Sequence, residues 1–171
     1  MIVLGLDPGS RHTGYGVVAV EGDRLQALDY GRISCPASQP LPERLARLAS
    51  ELSTILESFA PSVAALETPF HGINSRSLIV LAQARGALLA TLAGRRLEIR
   101  EYSPAEVKSS VSGNGRADKE QVARMVRLLL TLPQSQMSPD ATDALAVAIC
   151  CGHRLRIDRL ANPTRDSGAV R

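Results

Sequence analysis

The stretch LGLDPGSRHTGYGVV, Leu4 to Val18, carries an apolar run as far as Asp7, breaks it with Pro8-Gly9, and resumes at Gly14 with Gly-Tyr-Gly-Val-Val. Asp-Pro-Gly is ordinary turn chemistry, since Pro presets φ and Gly accepts positive φ. The run from Met1 to Leu6 is apolar at nearly every position, however. That is the pattern of a strand buried on both faces, and it sets Asp7 at the rim of a central sheet. A carboxylate at such a rim is a candidate for chemistry, and its partners are to be sought further along the chain.

Outward from this stretch, strands are expected over residues 2–6, 14–20 and 25–33, separated by turns at Pro8-Gly9 and Gly22-Asp23. Three strands in such quick succession are antiparallel neighbours. A Pro-rich loop (Pro36, Pro40, Pro42) leads to a helix whose apolar positions Leu45, Leu48, Leu52, Ile55, Leu56 and Phe59 fall at helical spacing. Val-Ala-Ala-Leu-Glu, 63–67, is a short apolar strand that again ends in a carboxylate before a proline. A helix over about 75–92 and a strand near 97–102 follow. Ser103-Pro104-Ala105-Glu106 is a capping box with Pro at the first helical position. That helix stops in Gly113-Asn114-Gly115; Asp118 with Gln121 caps the next, and Ser138-Pro139 opens the last. The sum is an α/β fold: a mixed five-stranded sheet, its first three strands antiparallel, flanked by helices on both faces.

The last helix begins SPDATDALA, which places Asp140 and Asp143 three residues apart on one helical face. Acids favour helix N-termini for dipole reasons alone, but here they accompany the strand-end carboxylates Asp7 and Glu67. Four carboxylates gathered together repel one another and raise each other's pKa. A divalent cation relieves that conflict, and hard oxygen donors without Cys or His favour Mg²⁺ or Mn²⁺. Two such ions about 4 Å apart can activate water on one side of a phosphodiester and stabilise the leaving oxygen on the other. Phosphodiester hydrolysis is the leading chemistry.

Composition narrows the class. The chain has 171 residues, 44% of them hydrophobic, and a formal charge of +3, which suits one domain with a substantial core and no strong overall pull toward polyanions. Arg154, Arg156, Arg159, Arg165 and Arg171 concentrate positive charge at the C-terminus; the expectation is a folded domain over 1–155 and a basic, flexible tail over 156–171. Cys35, Cys150 and Cys151 show neither a disulfide framework nor metal spacing and read as reduced packing residues. With no signal segment and apolar runs expected to be too short for a bilayer, a cytoplasmic protein with no membrane partner is expected.

The blocks GLDPGSRHTGYGVV, LETPFHGINSRSLIVLAQARGAL, PAEVKSSVSGNGRADKEQV and PDATDALAVAI together closely resemble the RuvC-type Holliday junction resolvases, of ribonuclease H-like fold, from Met1 to about Ile149. The resemblance implies that Asp7, Glu67, Asp140 and Asp143 are catalytic and bind two Mg²⁺ ions, with Mn²⁺ able to substitute. It implies a homodimer that nicks two opposing strands of a four-way DNA junction symmetrically, leaving 5′-phosphate and 3′-hydroxyl ends in recombination and repair. A branch-migration motor and a junction-binding clamp are the implied partners.

Phe70 matches a family position that stacks on a base opened at the junction, as aromatics do with unpaired nucleotides, although a Phe capping the core is the plainer reading. Lys108 and Lys119 are the only lysines, against eighteen arginines. Both match basic positions near the scissile phosphate, where an ammonium offsets phosphate charge. Arg76 opposes the dipole of the helix it begins, as a cation held there by DNA would. Ala82, Gly86 and Ala90 form a small-residue stripe; it can serve packing on the chain's own sheet or the family's dimer contact. His12, His71 and His153 lack ligand spacing. Two other classes are weighed: an actin-like phosphate-binding ATPase domain, which needs a second lobe, and a non-catalytic junction-binding module on the same fold.

Overall fold

The computed structural model describes residues 1–9, 11–68, 75–133 and 137–161, with the side chains of Ser75 and Arg76 outside that description. In chain order the elements are β1 (Ile2–Asp7), β2 (His12–Glu21), β3 (Arg24–Ser34), α1 (Leu41–Phe59), β4 (Val63–Glu67), α2 (Ser75–Gly94), β5 (Glu98–Tyr102), α3 (Pro104–Ser112), α4 (Lys119–Leu129) and α5 (Pro139–Ala161).

The five strands form one sheet in the order β3-β2-β1-β4-β5. β1 to β3 are an antiparallel meander, while β4 joins β1, and β5 joins β4, in parallel. β1 is the central strand, which is why it reads as continuously apolar. Its alternate residues serve two cores: Leu4 and Leu6 meet Leu48, Leu52 and Leu56 of α1 and Leu88 and Leu92 of α2, whereas Val3 meets Val147, Ile149 and Cys151 of α5 and Val107 and Val126 of α3 and α4. The α/β sandwich is thus the expected one, with helices on both faces.

Local signals set the helix starts. Ser103 Oγ accepts from the Glu106 N–H at 3.3 Å while the Ser103 N–H donates to Glu106 Oε2 at 2.9 Å, and Asp118 and Gln121 repeat the arrangement at α4. Gly113 ends α3 at φ +75°, its N–H donating to the Ser109 carbonyl, a left-handed position glycine fills without strain. Cys35, Cys150 and Cys151 are free and buried, as expected of packing residues.

Two expectations need correction. α5 continues six residues past the expected domain end at 155. Arg156 pairs with Asp23 at 2.8 Å and Asp158 with Arg100 at 2.6 Å, so residues 156–161 are helix rather than tail. Residues 162–171 lie outside the described residues. Nor are all apolar runs too short for a bilayer: Ser77–Gly94 has the length and a mean hydropathy of 1.5 that a membrane span requires. In the fold this segment is a layer helix, with Ala84, Leu88 and Leu92 in the core and the charged Arg85 in its middle.

Candidate active site

Three glycines let α5 lie directly on the sheet. A Cβ on Gly14 would overlap the carbonyl oxygen of Asp140, one on Gly5 the carbonyl oxygen of Ala144, and one on Gly16 would come 2.7 Å from Leu145 Cδ2. Gly14 is also the register partner of Asp7. The glycines of the opening stretch therefore bring the first turns of α5, with Asp140 and Asp143, alongside the end of β1. The turn after Asp7 is braced by the buried Thr13, whose Oγ1 donates to the Gly9 carbonyl at 3.1 Å.

β4 contributes the second strand-end carboxylate. It runs parallel to β1 with Leu6 opposite Leu66, so Asp7 and Glu67 leave neighbouring strand ends side by side. Asp7, Glu67 and Asp143 line one cleft of about 230 Å³, with Lys108 from α3, Lys119 from α4, and Val107, Val122 and Ala146 as its apolar wall. Burial, reinforced by the negative charges of Asp143, Glu67 and Asp140, pushes Asp7 up from its ordinary 3.8 to about 7. Burial and Asp143 raise Glu67 as well, against the opposing pull of Lys119 and Lys108. Lys119 Nζ stands 3.4 Å from Asp143 Oδ2 on a side chain that is 81% exposed, and that carboxylate raises the lysine.

Asp140 stands at the edge of this group. It shares the field acting on Asp7, but its Oδ2 faces Arg32 Nη1 of β3 at 3.6 Å. The four expected carboxylates therefore divide into three in the cleft and one turned toward an arginine. As the side chains stand, no three His, Cys, Asp or Glu among the described residues converge as a ligand set. The donor chemistry nevertheless fits a hard divalent cation: the donors are carboxylate oxygens, and burial together with the neighbouring carboxylates makes Asp7 costly to ionise without a cation beside it.

Phe70 and His71 lie outside the described residues, and Arg76 is placed only as part of the first turn of α2. His12 faces Ser34 Oγ at 3.3 Å and His153 faces Ser110 Oγ at 3.1 Å, away from the cleft. Two arginines escaped the sequence reading. Arg32 carries no local signal, because its partner is more than a hundred residues away and only the β2–β3 register brings it near Asp140. Arg85 had one: a lone charge on the sheet-facing side of an apolar helix. It is buried, and Nη1 donates to the Glu67 carbonyl at 2.8 Å.

Comparison with known proteins agrees with this geometry. Residues 3–151 match the model of the family described as crossover junction endodeoxyribonuclease RuvC. The chain is 43% identical over 155 residues to the crossover junction endodeoxyribonuclease RuvC of Heliobacterium modesticaldum, covering 91% of this chain and 96% of that protein. Among solved structures it is similar to Thermus thermophilus RuvC, with a TM-score of 0.86 and 32% identity over 92% of this chain and 97% of that one. It is also similar to T. thermophilus RuvC in complex with a Holliday junction substrate, with a TM-score of 0.84 and 30% identity over 92% and 96% of the respective chains. The chain belongs to the RuvC family of crossover junction endodeoxyribonucleases, the Holliday junction resolvases of ribonuclease H-like fold.

Proposed function

We propose that this resolvase hydrolyses its phosphodiesters in the Asp7–Glu67–Asp143 cleft with two Mg²⁺ ions, for which Mn²⁺ can substitute. The observation that carries this reading is that three carboxylates and two lysines line one cleft. Asp7, Glu67, Asp140 and Asp143 would hold the ions. Bound there, divalent cations supply Lewis acidity toward water and the phosphate.

The chain's own groups do the rest. Deprotonated Asp7 is the form able to ligate, so its pKa of about 7 makes loading rise with pH through neutrality. Lys119, now paired with Asp143, and Lys108 supply positive charge to the scissile phosphate once DNA displaces water from the cleft mouth. Phe70 stacks on a base at the crossover, and Arg76 contacts the DNA backbone.

The enzyme acts as a homodimer making paired nicks that leave 5′-phosphate and 3′-hydroxyl ends. The small-residue stripe supports this: Ala82, Gly86 and Ala90 face outward, beside Leu78 and Ile79 at 39% and 60% exposure. Packing on the chain's own sheet falls instead to Ala84, Leu88 and Leu92. A four-way junction with near two-fold symmetry suits an isologous pair. Acting on cytoplasmic DNA, it would work with a branch-migration motor and a junction-binding clamp.

The deciding experiment incubates the protein with a synthetic four-way junction in Mg²⁺, Mn²⁺ or chelator. Paired, ligatable nicks that require the metal are expected. Binding without nicking would point to a non-catalytic junction module, and ATP turnover without nicking to a phosphate-binding ATPase.

A further inference from the structure

Among the described residues Arg85 is the one buried charged residue, 9% exposed. It lies on the side of α2 that faces the sheet, next to the core residue Ala84. Both terminal nitrogens of its guanidinium are engaged: Nη1 donates to the main-chain carbonyl of Glu67 at 2.8 Å and Nη2 to Glu101 Oε1 at 2.5 Å. Glu101 belongs to β5, opposite Leu66. One side chain of α2 thus grips the ends of two adjacent strands, at the residue from which a cleft carboxylate projects.

The ion pair with Glu101 does not by itself account for an arginine here. Burying a guanidinium carries a desolvation cost that an ion pair only offsets, and replacing such a pair by apolar residues is often neutral or stabilising. On the same side of α2 lie Leu81, Leu88 and Leu89, so an apolar residue would suit the layer. What an apolar residue cannot do is satisfy the Glu67 carbonyl. That carbonyl belongs to the last residue of β4, which is still paired with Tyr102 on its β5 side but lies past the end of the β1–β4 register, so Arg85 adds a hold that the ladder to β1 does not provide. Arginine's planar fork presents two separate nitrogens to two separate acceptors in a fixed geometry, whereas an ammonium offers a single nitrogen on a flexible stem.

We infer that Arg85 is a positioning residue for the nuclease reaction: by holding the Glu67 carbonyl against the α2 layer, it aims the Glu67 carboxylate into the cleft. This rests on the reading of the cleft as the metal-dependent nuclease site. A misplacement of about 1 Å at a reacting group can cost about 10²-fold in rate, and the loss should fall on the chemical step rather than on junction binding.

The test compares wild type with Arg85→Met and Arg85→Lys in three measurements. These are the single-turnover cleavage rate at saturating protein, junction affinity in chelator, and Mn²⁺ affinity without DNA. Arg85→Met should lose roughly 10- to 100-fold in rate and bind Mn²⁺ more weakly, with junction affinity unchanged. Arg85→Lys should recover part of both losses, because an ammonium can still reach one acceptor. Wild-type rate and Mn²⁺ affinity in Arg85→Met would overturn the inference. So would a rate loss with Mn²⁺ affinity intact and no recovery by lysine, which would mark a structural role. Should Arg85→Met fail to fold, Arg85→Lys decides alone: reduced rate with weakened Mn²⁺ binding upholds the inference, and wild-type values overturn it. A wild type that binds junctions and never nicks them defeats the reading of the cleft itself, a result distinct from an active wild type matched by an active Arg85→Met.

Discussion

α5 and α2 are both long, apolar helices, yet they spend their apolar residues differently. α5 is buried around its whole circumference from Ala144 to Gly152, because it sits between the sheet on one side and α3 and α4 on the other. α2 covers the opposite face with one side only, leaving Ala82, Gly86, Leu78 and Ile79 to solvent. An all-round apolar helix is either fully enclosed by its own chain or awaiting a surface supplied from elsewhere. Here the enclosed helix carries Asp140 and Asp143, and the open one carries the surface proposed for the second copy. The α5 side should therefore be intolerant of small changes, and the α2 side tolerant of them in everything except assembly.

The largest effect is expected at the end of β1, in the cleft that the first turns of α5 help to line. Asp7→Asn should abolish measurable nicking while junction binding survives, because it removes a ligating charge from a cleft that already repels DNA. It should also stabilise the metal-free protein. Asp7 ionises near 7 in the folded chain against an ordinary 3.8, so between those values the unfolded chain binds fewer protons than the folded one. Folded stability is then greatest below about pH 4 and falls as pH rises through 7. Asn lacks that transition, so the melting temperature of the variant should exceed that of wild type at pH 8 and not at pH 4. Wild-type nicking by Asp7→Asn would remove the residue from the site.

Next comes Gly14→Ala, the smallest change that pushes α5 off the sheet. The added methyl meets the backbone oxygen of Asp140, which no rotamer change can move aside. The cost should reach the upper end of the roughly 1–3 kcal/mol typical of overpacking, read by denaturant unfolding. Displacement of Asp140 and Asp143 should slow nicking by about 10²-fold. An unaltered midpoint with full activity would show that α5 is not held at this distance.

These two effects mark what was legible in the opening stretch and what was not. The strand-end carboxylates, the turn and the capping boxes at Ser103 and Asp118 are local events, decided by neighbours within a few residues, and the structure has them where the pattern predicts. Asp140 and Asp143 at spacing three were legible as a pair. Their parting, one toward Lys119 and one toward Arg32, was not, because it depends on which strand ends up beside β2. The Arg85–Glu67 contact is hidden for the same reason: a charge in an apolar helix is visible, but its acceptor is set by the parallel β4–β5 pairing. The end of α5 is not legible in the sequence, because Arg154, Arg156 and Arg159 resemble a basic tail while their partners Glu106, Asp23 and Met1 lie on three other segments.

On the α2 side, Ile79→Asp should leave the fold unharmed and the assembly broken. Ile79 is 60% exposed, so the stability of the isolated chain should change by no more than about 0.5 kcal/mol. Light scattering should shift from dimer to monomer mass at working concentrations, and paired nicking should give way to uncoupled single nicks. A variant that remains dimeric would place the contact elsewhere.

The smallest effect, and the sharpest contrast with Gly14, is Gly86→Ala: the same substitution on the opposite face of the sheet. A Cβ built on Gly86 meets nothing within 4 Å, and glycine inside a helix is roughly 0.5–1 kcal/mol less favourable than alanine. At concentrations low enough to keep the chain monomeric, the variant should therefore be more stable than wild type by about that amount. In the dimer the sign should reverse, because a stripe of small residues is useful only where two backbones approach closely, and the new methyl occupies that gap. Stability measured across a dilution series should accordingly show the variant ahead when dilute, with a weaker dimer dissociation constant when concentrated. A gain at every concentration would mean that the stripe faces solvent in the working enzyme. A loss in the dilute monomer would mean that the chain itself covers Gly86, and that α2 is enclosed much as α5 is.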